Sequence, residues 1–328
     1  MKLRAIGGVM RYVGTQIQIG VNVLHYQLDQ PFIRRDFPYH RFSFSGNRMM
    51  NMSIDFSYTW RNLHWYGEVA SHNQKALAAV CGLLMSVDER VDLTLVYRNM
   101  SRGYQSMYGN AFTESTFPNN EQGFFMGTVV RPNAAIKIEA YADIYRFPWL
   151  RFRVDAPSVG HDYLLQLTYQ PNKQVQVFTR VRLETTESVN SVPRCNWRTQ
   201  MQINVHSSLT LRQRMELMWY DQGGPRESKG FLAFFDVLFK PILKPYSMNM
   251  RLEYFHTDGY DSRIYAYEND VLYSYSIPAF FEHGNRWYLN MQYDLSKQLS
   301  CWVRCAQLIY LNRATVGSGL DEIPKNRR

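Results

Sequence analysis

Alternation of apolar and polar residues is the feature that most constrains how this chain folds. In the stretch IKIEAYADIY (136–145), every second residue is Ile or Ala, and Lys137, Glu139 and Asp143 lie between them. A β-strand places successive side chains on opposite faces, so this segment has one apolar and one polar face. Its length exceeds the five or six residues common in globular strands and suits a tilted strand that crosses a bilayer.

The same pattern predicts sixteen strands along the chain. They are 4–12, 16–26, 47–60, 62–71, 76–86, 91–99, 122–131, 136–145, 160–170, 175–184, 196–206, 209–220, 230–239, 246–256, 285–293 and 299–311. Tight turns alternate with long polar connections. The connection 72–75 occupies the place of a long connection but is short. The long connections are 27–46, 100–121, 146–159, 185–195, 221–229 and 257–284. This alternation is typical of an up-and-down outer-membrane barrel.

The apolar segment VLYSYSIPAFF (271–281) tests this scheme. If it were a wall strand, the turns EHG and LSKQ would lie at opposite ends of the barrel and the alternation would break. Pro278 is also easier to accommodate outside a sheet. We therefore assign the segment to the long loop 257–284.

Charged residues share one face of several predicted strands. Arg or Lys on a lipid-facing surface costs about 2–4 kcal/mol at the bilayer midplane. A small dry core is also excluded, because each unpaired buried charge costs several kcal/mol. A wide, hydrated lumen accommodates such a face. The predicted lumen-facing residues are Lys137, Glu139, Asp143, Arg180, Arg182, Glu184, Arg212, Arg214, Glu216, Arg251 and Glu253.

These patterns predict an all-β fold, an antiparallel up-and-down transmembrane β-barrel formed by residues 1–328 as a single domain. No apolar run reaches the 18 or so residues that a spanning helix needs. The mean hydropathy of −0.38 does not argue against a barrel, whose strands hide apolar residues at alternate positions. The segment MKLRAIGGVMRYVG is interrupted by Arg11 before it reaches the length of a signal peptide, so no export signal is visible.

Charge and cysteine content exclude several functions. The net charge of +9 is spread along the chain, often beside acids, and the sole basic cluster is the C-terminal IPKNRR. We therefore do not expect this chain alone to bind nucleic acid. The four cysteines have no metal-ligand spacing. The sequence also lacks zinc-protease, nucleophile-elbow, Walker and dinucleotide-binding motifs.

We therefore predict no catalytic residues, no metal and no cofactor. A barrel enzyme that uses a rim histidine remains an alternative, and its candidates are His161, His206 and His256.

Two loops carry further candidate residues. The acidic stretch 256–270 contains Asp258, Asp261, Glu268 and Asp270 and is an alternative calcium site, although its spacing does not match an EF-hand loop. The favoured interpretation is a loop fixed by Asp–Arg and Tyr contacts that involve Arg263. The stretch RFPWLRFRVDAP (146–157) sets Arg146, Arg151 and Arg153 among aromatic residues. It has three open interpretations, namely a constriction in the lumen, a grip on lipopolysaccharide phosphates, and a packed outer loop.

Several longer stretches resemble a known family. They are YRNMSRGYQSMYGNAFTES (97–115), NNEQGFFMG (119–127), AYADIYRFPWLRFRVDAPS (140–158), TDGYDSRIYAYENDVLY (257–273) and GSGLDEI (317–323). They resemble the C-terminal barrel region of Bacteroidota outer-membrane proteins labelled helix-hairpin-helix or ComEA-like. The resemblance covers nearly the whole chain and implies the outer membrane of a Gram-negative bacterium. The family's helix-hairpin-helix module and its last strand have no counterpart here, so we expect a fragment.

The leading hypothesis is a non-enzymatic outer-membrane β-barrel that serves as a channel or as the membrane anchor of an envelope protein. Its expected partners are outer-membrane lipids, lipopolysaccharide and other envelope proteins. One alternative is a soluble β-rich protein that binds a glycan or another ligand. Another is a role in DNA handling through the helix-hairpin-helix module of the family.

Overall fold

Long antiparallel strands form nearly all of the protein. The computed structural model describes residues 2–73, 75–186, 192–313, 315–316, 322–323 and 325–327. Strands β1 to β18 are, in chain order, Leu3–Val13, Ile17–Phe32, Gly46–Trp60, Leu63–His72, Ala76–Asp88, Val91–Met100, Glu121–Asn133, Ile136–Phe147, Ser158–Tyr169, Val175–Thr186, Val192–His206, Leu209–Tyr220, Ser228–Phe239, Tyr246–Thr257, Ile264–Tyr265, Ala279–Phe280, His283–Asp294 and Ser300–Tyr310. A 3-10 helix spans Pro38–His40. Among the described residues, no helix has the length and apolar character needed to span a membrane.

Sixteen strands form one sheet in chain order, from β1 through β14 and then β17 and β18. Each predicted strand corresponds to one of them, so the all-β, antiparallel up-and-down fold is confirmed. Two strands extend more than two residues beyond a predicted end. β2 continues to Phe32, because Leu28 pairs with Leu3 and Phe32 pairs with Gly46 after an irregularity in the register. β11 begins at Val192 and pairs with β12 from Arg194 onward.

The segment 271–281 is not part of this sheet, as predicted. Its residues Ala279–Phe280 form β16, which pairs with β15 in a separate two-stranded sheet. The long strand β14 pairs instead with β17, which begins at His283. The alternation of short and long connections along the chain is therefore preserved.

The chain divides into two compact units. The first comprises Met1–Arg131, Glu139–Tyr163 and Glu184–Val192 and contains β1 to β6 in full. The second comprises Pro132–Ile138, Leu164–Leu183 and Pro193–Arg328 and contains β12 to β18 in full. The hydrophobic cluster of the second unit includes Leu232, Phe234, Phe255 and Phe280.

The burial of the two faces is the reverse of that in a soluble sheet. In β14, Arg251 is 1% exposed, whereas the neighbouring Leu252 is 52% exposed. In β6, Arg98 is fully buried while Tyr97 is exposed. We refer to the side of each strand that carries the charged residues as its polar face and to the other side as its apolar face. The predicted sidedness of β14 is thus found in the structure.

Close packing between strands depends on glycine at one position of the first unit. Gly82 in β5 lies directly opposite Tyr66 in β4. A Cβ atom at Gly82 would lie 2.3 Å from the Tyr66 ring. The ring therefore occupies the space above the glycine, and a side chain there would displace it.

We expect Gly82→Ala to lower the free energy of unfolding by about 1–3 kcal/mol, because the methyl group overpacks the Tyr66 ring. Gly8→Ala is the matched control, since no atom lies within 4 Å of a Cβ at Gly8 in β1. The control should be neutral or slightly stabilising, because glycine disfavours a strand by roughly 0.5–1 kcal/mol relative to alanine. Denaturant titrations measure both values. Equal stability changes in the two variants would contradict the packing argument.

Candidate functional site

Two long connections fold over the polar face of the strands. The β6–β7 loop (101–120) belongs to the first unit, and the β14–β17 loop (258–282) belongs to the second. Each is anchored by arginine and carboxylate side chains. We describe each loop within its own unit.

The β14–β17 loop crosses the strands of the second unit. The carbonyl oxygen of Tyr265 accepts a hydrogen bond of 3.1 Å from Arg214 in β12. That of Tyr267 accepts one of 2.7 Å from Arg251 in β14. The carbonyl of Asn269 accepts bonds of 2.6 Å each from Asn290 in β17 and Arg304 in β18.

The spacing of these acceptors matches the spacing of the strands. Residues 265 to 269 of an extended chain span about 13 Å, at roughly 3.3 Å per residue. The step from β12 to β17 covers about 14 Å, because neighbouring strands lie roughly 4.8 Å apart. Every second carbonyl of the loop therefore meets a donor on a different strand. Residues 264–269 therefore cross the strands and are hydrogen-bonded to several of them, and we call this segment the crossbar.

Side chains of this crossbar also alternate. Ile264, Ala266 and Glu268 are buried against the sheet. Tyr265 and Tyr267 point away from it and are nearly half exposed. The sequence SRIYAYE (262–268) thus presents small, aliphatic and acidic groups to the strands and phenol rings to the opposite side.

The buried carboxylate of Glu268 is the principal anchor of the loop. It accepts hydrogen bonds from Arg286 in β17 and from Arg304 in β18, the latter at 2.6 Å. Arg304 also lies 3.1 Å from the Asp270 carboxylate. Guanidinium groups therefore neutralise the carboxylates of Glu268 and Asp270.

Further ion pairs lie on the strands beneath the crossbar. Arg251 binds both carboxylate oxygens of Asp236 at 2.6 and 2.8 Å. Arg198 binds both oxygens of Glu216 at 2.8 and 3.0 Å, and Arg214 donates to the same carboxylate. Bidentate pairs of this kind are the stronger class of charged hydrogen bond. The guanidinium groups of these arginines therefore donate their hydrogen bonds to groups of the protein itself.

In the first unit, Arg98 has the corresponding role. It lies in β6 opposite Gly123 of β7, where a Cβ atom would lie 2.5 Å from the guanidinium carbon. The missing side chain lets the guanidinium reach Asp143 in β8 with bonds of 2.9 and 3.0 Å. Its Nε donates to Glu121 at 2.6 Å.

Glu121 links this cluster to the β6–β7 loop. Its two carboxylate oxygens accept hydrogen bonds from the backbone N–H groups of Glu114 and Ser115, at 3.0 and 3.1 Å. Arg98 and Glu121 are fully buried. The loop is therefore held against the polar face by the same ion pairs that join β6, β7 and β8.

The arginine-rich stretch 146–157 packs against other loops of the first unit. The indole N–H of Trp149 donates to the Pro38 carbonyl at 3.0 Å, and the Trp149 carbonyl accepts from Asn120 at 2.9 Å. The predicted loop residues Arg146, Arg151 and Arg153 contact, respectively, Gln122, the Phe147 ring and the Phe152 ring. Of the three interpretations, this geometry favours the packed outer loop.

The structure places the predicted lumen-facing residues in three groups. Arg214, Glu216, Arg251, Glu253 and Asp143 are buried in the clusters above, and Arg212 lies 3.7 Å from Asp236 at their margin. The others are partly buried on β8 and β10; they are Lys137, Glu139, Arg180, Arg182 and Glu184. That these side chains line an aqueous lumen stays a prediction.

Sequence reasoning missed several residues of the site, namely Arg98, Glu121, Asp236 and Arg304. Arg98 and Asp236 lie on the polar faces of their strands, so the two-residue alternation of the sequence could have identified them. No sequence pattern indicated that Glu268, in a loop, would pair with two strands. Asp258 accepts the Lys229 backbone N–H at 2.8 Å, and Asp261 is exposed. Arg263 contacts Tyr260 and Tyr265.

The three candidate rim histidines have different surroundings. His161 is 2.7 Å from the Thr185 hydroxyl, and His256 stacks on His283 with ring centroids 4.9 Å apart. His206 contacts the backbone and hydroxyl of the following serines. Within the described part of the chain, no group of three or more His, Cys, Asp or Glu residues is arranged to hold a metal ion.

No protein-family model matches the chain, and no curated protein is significantly similar to it. Among solved structures, OccK10 (OpdN) of Pseudomonas aeruginosa has a TM-score of 0.42 and 11% identity, covering 78% of this chain and 91% of that one. The copper transporter OprC has a TM-score of 0.48 and 10% identity, and the alignment covers 94% of this chain and 61% of OprC. The siderophore receptor PirA from Acinetobacter baumannii has a TM-score of 0.47 and 5% identity, and the alignment covers 93% of this chain and 58% of PirA. All three are outer-membrane β-barrels.

We expect Glu268→Gln to loosen the β14–β17 loop, because Arg286 and Arg304 lose the charge that neutralises them. The measurement is hydrogen–deuterium exchange of the amides in 264–269, which should exchange at least several-fold faster. Asp261→Asn is the matched control, since Asp261 is an exposed acid of the same loop. Equal exchange in the two variants would show that Glu268 is not the anchor.

Proposed function

We propose that this protein is a non-enzymatic β-barrel of the Gram-negative outer membrane whose interior is narrowed by the β14–β17 loop. The barrel acts as a channel for small solutes. Outer-membrane lipids and lipopolysaccharide contact its apolar outer surface. The observation that carries the proposal is the reversed burial of the two strand faces.

Large apolar side chains are exposed on strands of both units. Examples from the apolar faces are Ile54, Val69, Ile144, Leu165, Leu252, Met291 and Val303. Exposed apolar surface of this extent marks a contact with lipid or with another protein. The neighbouring residues on the same strands include buried Arg, Glu and Asp. An Arg side chain that faced lipid would cost about 2–4 kcal/mol at the bilayer midplane. A soluble β protein would have the opposite burial.

The anchored loops support a narrowed passage. Arginines on the polar face of the second unit donate to carboxylates and to loop carbonyls, so protein groups occupy positions that water would take in a wide pore. The exposed groups of the crossbar are the Tyr265 and Tyr267 rings. A solute that passes this loop therefore meets phenol groups, while the charges remain paired beneath them.

The membrane contact is testable with nitroxide labels in a variant whose four cysteines are replaced by serine. Labels at Leu252→Cys and Met291→Cys should be accessible to oxygen and protected from a water-soluble nickel reagent in liposomes, because both positions face lipid. A label at Asp261→Cys, in a polar loop, should show the reverse. Equal access of the nickel reagent to all three positions would exclude a lipid-facing apolar surface.

The role of the loop is testable by conductance in planar bilayers. Replacing residues 264–277 with a short Gly-Ser linker should raise single-channel conductance several-fold, since the crossbar is removed. Shortening the exposed connection 222–226 between β12 and β13 is the matched control and should leave conductance unchanged. If neither the wild type nor the loop variant conducts, the channel proposal fails and a membrane anchor is favoured.

A further inference from the structure

A cavity of about 230 Å³ lies between the β6–β7 loop and the polar face of the first unit. Small residues create the space, because Ser53, Ala70 and Ala78 occupy positions where larger side chains would fill it. Met100 and Tyr104 pack with these alanines in a buried cluster. The ion pairs of Arg98 and Glu121 hold the loop in place, so the cavity is preformed.

Asn51 gives the first indication of a ligand. Its side chain is 8% exposed, and its amide nitrogen donates to the Gln105 carbonyl at 2.8 Å. Its side-chain oxygen, Oδ1, is buried and has no hydrogen-bond partner. Leaving such an acceptor unsatisfied costs about 1–3 kcal/mol. Because Asn51 lines the cavity, a turn of its amide toward the cavity would let Oδ1 accept a hydrogen bond from a ligand and would remove this cost.

Charge in the cavity indicates the class of ligand. Among the residues described as lining it, Glu68 alone carries a formal charge. The neighbouring acid Asp55, opposite Glu68 in the register, has Asn22 at 2.8 Å and Arg11 at 3.7 Å as partners. Arg11 is outside the cavity lining. Glu68 is an exposed residue, so its carboxylate lies in the solvent-accessible part of the cavity lining and favours a cation over an anion there.

Three tyrosines add aromatic surface. Tyr26, Tyr104 and Tyr108 line the cavity, and the rings of Tyr26 and Tyr108 have centroids 6.0 Å apart. Burial raises the pKa of the Tyr104 hydroxyl, and the negative charge of Glu68 raises it further. Glu68 and Tyr104 both line the cavity. Cations bind favourably over aromatic faces within about 6 Å of the ring centroid.

We propose that this cavity binds a small organic cation with a primary ammonium group. The Glu68 carboxylate is the counter-ion, Asn51 Oδ1 accepts an ammonium N–H, and the tyrosine rings contact the alkyl part. A neutral ligand of the same shape satisfies Asn51 and leaves Glu68 without a counter-charge. The inference does not depend on whether the barrel conducts.

The test compares three probes of similar length by isothermal titration calorimetry on the full chain in detergent micelles. Putrescine carries two ammonium groups, 1,4-butanediol is its neutral analogue, and succinate is an anion. We expect putrescine to bind and the other two not to bind. Glu68→Gln should weaken putrescine binding at least ten-fold, whereas the control Glu89→Gln, in an exposed turn, should leave it unchanged.

Equal binding of butanediol, or unchanged putrescine affinity in Glu68→Gln, would overturn the proposal. So would the absence of putrescine binding to the wild type. Circular dichroism checks that each variant is folded. If Glu68→Gln does not fold, the Tyr108→Ala variant tests the proposal instead. Tyr108 is largely exposed, so its replacement should not affect folding, and the Glu68 carboxylate is retained. That variant should bind putrescine several-fold more weakly, and unchanged affinity contradicts the aromatic contact.

Discussion

The need to pair buried guanidinium groups governs the structure of this protein. An arginine removed from water costs several kcal/mol unless a carboxylate or a carbonyl accepts its hydrogen bonds. Arg251 satisfies this need with Asp236 on a neighbouring strand and with the Tyr267 carbonyl of the β14–β17 loop. Arg98 satisfies it with Asp143 and Glu121, and Glu121 in turn binds the β6–β7 loop. The loops thus complete the pairing that the strands begin.

This pairing explains why the two strand faces differ so strongly. Much of the polar face is buried and hydrogen-bonded, although it carries most of the strand charges. The apolar face has no protein layer over it at residues such as Leu252 and Val303. The proposed contact with lipid would resolve this arrangement, because hydrocarbon would cover the apolar side chains while the loops pair with the charged ones.

The two units use their polar faces differently. In the second unit, arginines and acids are matched, and the crossbar covers them. In the first unit, the β6–β7 loop stands over small residues and leaves a cavity that contains Glu68. The difference lies in side-chain size and charge balance. Ala70 and Ala78 leave space, whereas Phe234 and Tyr288 lie beneath the guanidinium groups of Arg251 and Arg304.

Much of the fold was predictable from local pattern. Period-two alternation identified all sixteen sheet strands, and the parity of the connections kept 271–281 out of the sheet. Ends were less predictable, as β2 shows, because Leu28 extends that strand by pairing with a residue far away in sequence. The candidate site was predictable only in part. Alternation indicated that Arg214, Glu216 and Arg251 share a face but did not indicate their partners.

The sequence by itself determined which side of each strand is apolar and which is charged, because that property depends only on the strand's two-residue period. The tertiary structure decided how the charges are neutralised. Arg98 reaches Asp143 because its register partner Gly123 has no side chain to displace the guanidinium. Glu268 contacts two arginines because its loop folds back across the strands. These contacts join residues that are distant along the chain, so their energies depend on register and loop path, which no local pattern encodes.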